Sequence, residues 1–152
     1  MALAFEDLQV LKETEKIADA VWNQIHNWGT FERDTVEKQI SRSIDSIGAN
    51  IAEAFGRYHY GDKLRFLYYP RGSIYESKYW LNRTIQRNLL EDDFANGIVS
   101  QLTMIAKRLN SLAASTKSQK KTTKPIKEKQ AGYQINNVLF SDEELSSLAE
   151  FP

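Results

Sequence analysis

Residues 36–55 read VEKQISRSIDSIGANIAEAF, and the large apolar side chains in this run recur at steps of four, four, three, four and four. They are Val36, Ile40, Ile44, Ile47, Ile51 and Phe55. Steps of three and four return to the same face of a helix at each turn. The run therefore predicts an amphipathic helix that packs against other helices, with Asp34 and Glu37 as a capping box at its start.

The same spacing continues on both sides of this helix. Residues 5–28 carry an apolar stripe and are followed by Gly29, which we interpret as a C-terminal stop. Residues 62–88 carry another stripe around Pro70, where we expect a kink or a break because proline has no N–H to donate. A fourth stripe runs from residue 91 to 112. Four long helices with short connections predict an all-α fold, an antiparallel up-down four-helix bundle with a flexible C-terminal extension.

Charge divides the chain further. It contains 20 Lys and Arg and 20 Asp and Glu among 152 residues, but residues 113–130 carry a net charge of +5 and residues 131–152 of −4. Polar, charged runs without apolar periodicity are typical of linkers. The predicted units are a four-helix bundle (1–114), a flexible basic linker (115–137) and a short amphipathic acidic C-terminal segment (138–152).

The C-terminal segment contains a local helix signal. Ser141 and Glu144 have the spacing of a capping box, and Phe140 and Leu145 have the spacing of a hydrophobic staple. A helix this short is unstable alone, since helix nucleation is costly. The segment is therefore either a docking element or a frayed terminus, and the sequence leaves both interpretations open.

Several classes of protein are disfavoured by what the sequence lacks. It has no cysteine and no apolar run of about 18 residues, so we expect no disulfide, no membrane partner and a cytoplasmic location. It has no phosphate-binding loop, dinucleotide fingerprint or metal-ligand spacing, so we expect neither an enzyme nor a bound metal or cofactor. The remaining catalytic hypothesis pairs Glu53 with Glu76; the alternative pairs each with an arginine such as Arg42 or Arg57.

Small and polar residues on the second and third predicted helices indicate close packing. Gly72 and Ser73 are candidates for a small patch that faces the small residues around Gly48. We expect a structural polar cluster that fixes the register between the two helices, because buried polar groups must find partners. Its members are Asn50, Glu53, Ser73 and Glu76, with Arg57 beside them.

Residues 57–87 combine positive charge with aromatic side chains. They hold seven Lys and Arg against two acids, with Tyr58, His59, Tyr60, Tyr68, Tyr69, Tyr75, Tyr79 and Trp80 interleaved. Cations attract phosphate and exposed rings stack on unpaired bases, so the pattern is a candidate nucleic-acid site. The alternative is that the rings form the bundle core and a subunit interface, with the cations as a solvated face.

The candidate phosphate contacts lie in this region, on the helix before it and on the basic linker. They are Arg42, Arg57, Lys63, Arg65, Arg71, Arg83, Arg87, Lys117, Lys120, Lys121 and Lys124.

The motifs also resemble those of a known family. They are residues 5–8 (FEDL), 39–43 (QISRS), 46–57 (SIGANIAEAFGR), 66–67 (FL) and 72–76 (GSIYE). In this combination they are similar to the four-helix-bundle family of proteins encoded in intervening sequences of 23S ribosomal RNA genes. A related branch is the accessory variability determinant of diversity-generating retroelements. The sequence departs from the family pattern at Ser41, Ala54 and Pro70.

The resemblance implies a four-helix bundle without enzymatic activity, commonly assembled as a homopentamer. For the retroelement branch it implies binding of nucleic acid and of a reverse transcriptase. We therefore expect a non-enzymatic oligomeric accessory or scaffold protein that binds RNA or another nucleic acid. The alternative is a protein-binding adaptor that docks a partner through its C-terminal segment.

Overall fold

The computed structural model describes residues 8–122 and 138–150, and nearly all of them are helical. The helices are α1 (Gln9–Ile25), α2 (Lys38–Gly56), α3 (Tyr60–Gln86), α4 (Asp92–Thr122) and α5 (Asp142–Ala149). The described part of the chain contains no strand, so the predicted all-α class is confirmed.

The first four helices form the bundle. α2 packs against α1 and α3, α4 packs against α3 and α1, and the short α5 packs against α4. Hydrogen bonds join Ser46 to Ser73 and Ser43 to Ser77, so α2 and α3 run antiparallel. The connections between the four helices are short, as an up-down bundle requires.

The isoleucine column of α2 forms the centre of the core. Ile40, Ile44, Ile47 and Ile51 are each at most 1% exposed. The prediction that Phe55 continues this column is wrong, because Phe55 is 40% exposed and Ala54 is buried in its place. A step of four residues turns a helix about 40° past a full revolution, so a further step of four after Ile51 leaves the buried face.

The chain enters α2 differently from the prediction. Gly29 does not end a helix: α1 has already ended at Ile25, and Gly29, with φ of −62°, precedes a helical turn at Thr30–Glu32. A π-helical segment, Arg33–Glu37, then leads directly into α2. The predicted capping box is therefore wrong, because Asp34 lies inside a helix that has already begun and binds Lys38 at 3.1 Å.

Pro70 does not divide the third helix. α3 runs without interruption from Tyr60 to Gln86, with Pro70 buried inside it. Proline cannot donate to the carbonyl of Phe66. The apolar residues on either side nonetheless stay in the core, with Leu67 2% and Ile74 0% exposed. Burial on both sides of the proline holds the two halves in one helix.

α4 is longer than predicted. The expected linker begins at residue 115, but α4 continues to Thr122. The buried side of α4 continues through Ala113 and Thr116, which are 4% and 7% exposed, and the hydroxyl of Thr116 donates to the carbonyl of Leu112. These small residues extend the helix face beyond the last large apolar residue, which is why a search for large apolar residues misses them. The rest of the predicted linker lies outside the described residues.

The predicted small-residue contact between α2 and α3 is only half right. Ser73 does face α2, where it meets Ser46. Gly48 faces α1 instead: a methyl group placed on it would lie 3.4 Å from Cγ2 of Thr14. A methyl group on Gly72 would meet no described atom within 4 Å, so Gly72 packs against nothing in the single chain.

Replacing Gly72 with alanine should therefore stabilise the bundle. In an open helix interior alanine restricts the unfolded chain, and we expect a gain of about 0.5–1 kcal/mol in the free energy of unfolding from Gly72→Ala. Chemical denaturation followed by circular dichroism measures it. Gly97→Ala is the matched control, since Gly97 on α4 is equally open. If Gly72→Ala loses stability and Gly97→Ala does not, the conclusion that Gly72 has no packing neighbour is wrong.

Candidate nucleic-acid interface and C-terminal docking groove

A pair of serine contacts sets the register of α2 against α3. The hydroxyl of Ser46 donates to the hydroxyl of Ser73 at 2.7 Å, and that of Ser77 donates to that of Ser43 at 3.1 Å. Ser43 and Ser77 are completely buried; the hydroxyl of Ser43 donates to the carbonyl of Ile40 at 3.0 Å, and the single proton of the Ser77 hydroxyl is shared between Ser43 and the carbonyl of Ser73, 2.7 Å away. Small side chains let the two helices approach closely while their hydroxyl groups remain hydrogen-bonded.

Most of the other predicted members of the polar cluster do not join across this seam. The side chain of Asn50 donates to the carbonyl of Ser46 on its own helix. Glu53 pairs with Arg57 one turn away on α2, whereas only Glu76 on α3 reaches across, to Arg42.

The two carboxylates of the catalytic hypothesis are therefore each paired with an arginine. Glu53 binds Arg57 and Glu76 binds Arg42, as the alternative interpretation expected. Within the ranges 8–122 and 138–150, no three His, Asp or Glu side chains lie close enough to hold a metal ion.

The solvent side of α3 carries alternating aromatic and cationic side chains. Tyr69 and Tyr79 are 49% and 55% exposed, Arg65 and Arg83 lie on the same side at helical spacing, and Arg87 follows directly after the end of α3. We call these five residues the α3 face. Tyr69 and Tyr79 are therefore not part of the core of the single chain, and neither is Tyr58, which is 90% exposed just before α3 begins; their place in a subunit interface stays a prediction.

Rings position several of the predicted cations. The guanidinium of Arg57 lies 4.4 Å from the ring centre of Phe66, and that of Arg83 lies 5.8 Å from Tyr79. Lys63 lies 5.8 Å from the ring of Tyr60. A cation over an aromatic face keeps its charge while its side chain loses conformational freedom. Less entropy is then lost when the cation binds an anion.

Acidic side chains lie beside other predicted phosphate-binding residues and compensate their positive charge. Arg42 is bound to Glu76 across the seam. Arg65 lies 3.7 Å from Asp62, a long contact at an exposed position that leaves its donors accessible to another anion. Arg71 binds Glu144 with both terminal nitrogens, at 2.9 and 2.7 Å, so its guanidinium is not available to phosphate in this arrangement.

The predicted tail lysines are only partly described. Lys117 lies on α4 with its ammonium 3.4 Å from the hydroxyl of Tyr68. Lys120 and Lys121 belong to the last turn of α4, but their side chains lie outside the described residues. Lys124 lies entirely outside them.

Residues 138–150, which we call the tail, pack against the bundle. The capping box is present as predicted: the Ser141 hydroxyl accepts from the Glu144 N–H, and the Glu144 carboxylate accepts from the Ser141 N–H. Leu139, Phe140 and Leu148 are at most 2% exposed. The described tail is therefore a docked element and not a frayed terminus, and its apolar residues complete the core of its own chain.

The tail lies in a groove formed by α3 and α4. The tail groove consists of Arg71, Tyr75 and Lys78 on α3 and Asn110 on α4. Asn110 accepts from the N–H of Phe140 at 2.9 Å and donates to its carbonyl at 2.8 Å, so one side chain satisfies both backbone groups.

The two cations of the groove hold the two ends of α5. Arg71 binds the Glu144 carboxylate and also donates to the carbonyl of Leu139 at 2.6 Å. The ammonium of Lys78 donates to the carbonyls of Ser147 and Glu150 at the end of α5. The roles of Lys78 and Asn110 are missed from the sequence, because no local pattern connects them to residues 30 to 72 positions away.

The ion pair between Arg71 and Glu144 favours the docked state of the tail. Hydrogen bonds from Arg71 and from the N–H of Ser141 lower the pKa of Glu144 to about 2. The same carboxylate raises the pKa of Arg71. Burial lowers the pKa of Lys78, and the nearby Glu150 partly opposes that shift.

The fold and the surface together define an all-α bundle that presents a cationic and aromatic helix face and binds its own C-terminal tail. The described helices include none that is long and apolar enough to cross a bilayer. Residues 6–111 match the family model of the 23S rRNA-intervening sequence protein, so the chain belongs to this family. The match covers the bundle and ends before the tail. No curated protein matches the chain.

Acid should release the tail. The pKa of Glu144 is lower in the docked state than its usual value of 4.5, so its contribution is present above that value and is lost as the pH falls toward about 2. In NMR spectra recorded from about pH 6 to pH 2, the Phe140 N–H and the Asn110 amide should lose their docked shifts.

Glu144→Gln keeps the shape of the side chain and removes its charge. We expect this variant to populate the docked state less at neutral pH and to change less on acidification. Identical acid profiles in the two proteins would assign the transition to other carboxylates.

Proposed function

We propose that this protein is a non-enzymatic, oligomeric scaffold that binds RNA or another nucleic acid through the α3 face. The observation that carries the proposal is the exposure of Tyr69 and Tyr79 beside Arg65, Arg83 and Arg87 on one side of a single helix. Rings can stack on unpaired bases while guanidinium groups bind the adjoining phosphates. Membership of a family named for an intervening sequence of 23S rRNA is compatible with such a ligand.

The proposed binding mode follows from the environments of the cations. Arg65, Arg83 and Arg87 would contact phosphate, with Tyr69 and Tyr79 as stacking platforms between them. Lys63, above the ring of Tyr60 at the start of α3, would add a further phosphate contact, and Arg57, which is bound to Glu53, would contribute only after losing this partner. Lys117, Lys120, Lys121 and Lys124 would add a sequence-independent attraction at the end of α4 and beyond. Arg42 and Arg71 would contribute only after losing their carboxylate partners.

A homo-oligomer, which we propose to be a pentamer, would repeat this surface. Trp22 is 52% and Phe31 75% exposed in the single chain, and large exposed apolar side chains favour burial between subunits. Repeating a weak site around a ring raises avidity when several sites reach one polymer. The resemblance to the retroelement branch extends the proposal to a role beside a reverse transcriptase, in the cytoplasm.

The adaptor alternative requires a change in the tail. Leu139, Phe140 and Leu148 are buried against the chain's own bundle, so a partner could use them only after they leave the groove. This burial makes nucleic-acid binding through the α3 face the better-supported function.

Charge reversal on the α3 face should weaken RNA binding. In a salt-titrated gel shift with structured RNA, Arg65→Glu combined with Arg83→Glu should lower affinity and reduce the salt slope by about 0.7–0.9 for each lost phosphate contact. Lys16→Glu combined with Lys107→Glu is the matched control, since it makes the same charge change at exposed positions on α1 and α4. Equal losses in both proteins, or no shift of the wild type at low salt, would contradict the proposal.

The assembly can be tested separately. Light scattering should give a mass of about 88 kDa for a pentamer of the 17.5 kDa chain. Replacing Trp22 and Phe31 together by serine should lower that mass if these side chains lie between subunits, because their burial would no longer favour assembly. A wild-type mass of one chain would rule out the oligomer and leave RNA binding to be judged by the gel shift.

A further inference from the structure

The tail groove recognises the tail first through the apolar side chains of the tail. Its apolar anchors, Leu139, Phe140 and Leu148, are as deeply buried as the isoleucines of α2. The ring of Phe140 lies 6.0 Å from the ring of Tyr75 and 5.2 Å from the guanidinium of Arg71. Anchors that fill a groove to this extent supply most of the affinity of short peptides.

The polar contacts make this recognition specific. Asn110 pairs with the backbone of Phe140 and fixes the position of the peptide along the groove. Arg71 selects a carboxylate three residues after the helix cap, because its fork binds both oxygens of Glu144. The groove therefore selects a Leu-Phe pair followed, four residues after the phenylalanine, by a glutamate.

The tail and the groove are far apart in sequence. Residues 123–137, fifteen in number, separate the end of α4 from the tail. Fifteen residues can span at most about 50 Å when fully extended, which exceeds the diameter of a small domain. The contacts described between the tail and the tail groove are made by these two parts of the chain, so the same contacts can form when the tail belongs to another molecule.

We propose that the tail is a self-contained peptide ligand and that the tail groove binds it from a second copy of this chain as well as from its own. The two arrangements share the same contacts and differ only in the effective concentration of the tail. In an assembly of several copies, exchanged tails would connect neighbouring subunits. This proposal does not depend on nucleic-acid binding.

A charge swap across the Arg71–Glu144 pair tests the proposal with full-length chains. Arg71→Glu gives a chain whose groove repels its own tail, and Glu144→Arg gives a chain whose tail repels its own groove. Both chains therefore hold their own tail less tightly, which leaves the groove more accessible to a peptide. Two labelled peptides of residues 138–150, one native and one carrying Glu144→Arg, are titrated into each chain by fluorescence anisotropy.

The expected result is binding by the matched pairs alone. The native peptide should bind the Glu144→Arg chain, and the reversed peptide should bind the Arg71→Glu chain, each at least about tenfold more tightly than the crossed pairs. A native peptide with Phe140→Ala should bind the Glu144→Arg chain about 100-fold more weakly, because it leaves the anchor site empty. Wild-type protein should bind the native peptide more weakly, since its own tail competes.

Two results would overturn the proposal. Failure of the native peptide to bind the Glu144→Arg chain would show that docking requires the covalent connection. Equal binding in all four combinations would show that the groove does not select the tail by its charge. The Glu144→Arg chain keeps every bundle residue, so this arm remains decisive even if Arg71→Glu fails to fold.

Exchange between intact chains can be measured by crosslinking, because the sequence has no native cysteine. Ser147→Cys is placed in the Arg71→Glu chain and Lys78→Cys in the Glu144→Arg chain, and a short bismaleimide is added to the mixture. The proposal predicts several times more crosslinked pairs than from the same two cysteines in otherwise wild-type chains, whose own tails occupy their grooves. No excess over that background would overturn exchange between copies.

Discussion

The packing of α2 against α3 is the constraint on which the other features depend. The isoleucine column fixes which side of α2 faces the core, and the buried Ser43–Ser77 contact lets α3 approach it closely in one register. A shift by one residue would separate the facing serines and place larger side chains between the two helices, which prevents their close approach. Once this register is set, Arg42 meets Glu76, and Tyr69 and Tyr79 face solvent.

The packing of α2 against α3 also separates the positively charged residues of α3 into two groups, one on its outer side and one beside the tail groove. On the outer side Arg65 and Arg87 are exposed and Arg83 is half-buried, whereas Arg71 and Lys78 face the groove beside α4, where they bind the tail. The single basic helix therefore has two kinds of partner, an acidic peptide on one side and the proposed polyanion on the other. An aromatic ring lies against a guanidinium group on both sides: Tyr79 against Arg83, and Tyr75 against Arg71.

The tail extends the core of a bundle whose family match ends at residue 111. Phe140 is completely buried, and Asn110 satisfies its backbone groups, so docking removes apolar surface without leaving those groups unpaired. The ion pair between Arg71 and Glu144 links the cap of α5 to the bundle and lowers the pKa of the glutamate. Helix capping, apolar burial and charge therefore cooperate in one short segment.

The sequence alone determined the helices and most of the core, because apolar spacing at three and four residues depends only on helix geometry. It also determined the capping box of Ser141 and Glu144, whose two hydrogen bonds are local. Only the tertiary structure decided three points on which capping signals and single residues mislead. Asp34 lies inside a helix, Pro70 leaves α3 intact, and a methyl group on Gly72 would contact no described atom within 4 Å. The tertiary structure also decided that Arg71 binds Glu144, 73 residues away, because only folding brings distant charges together.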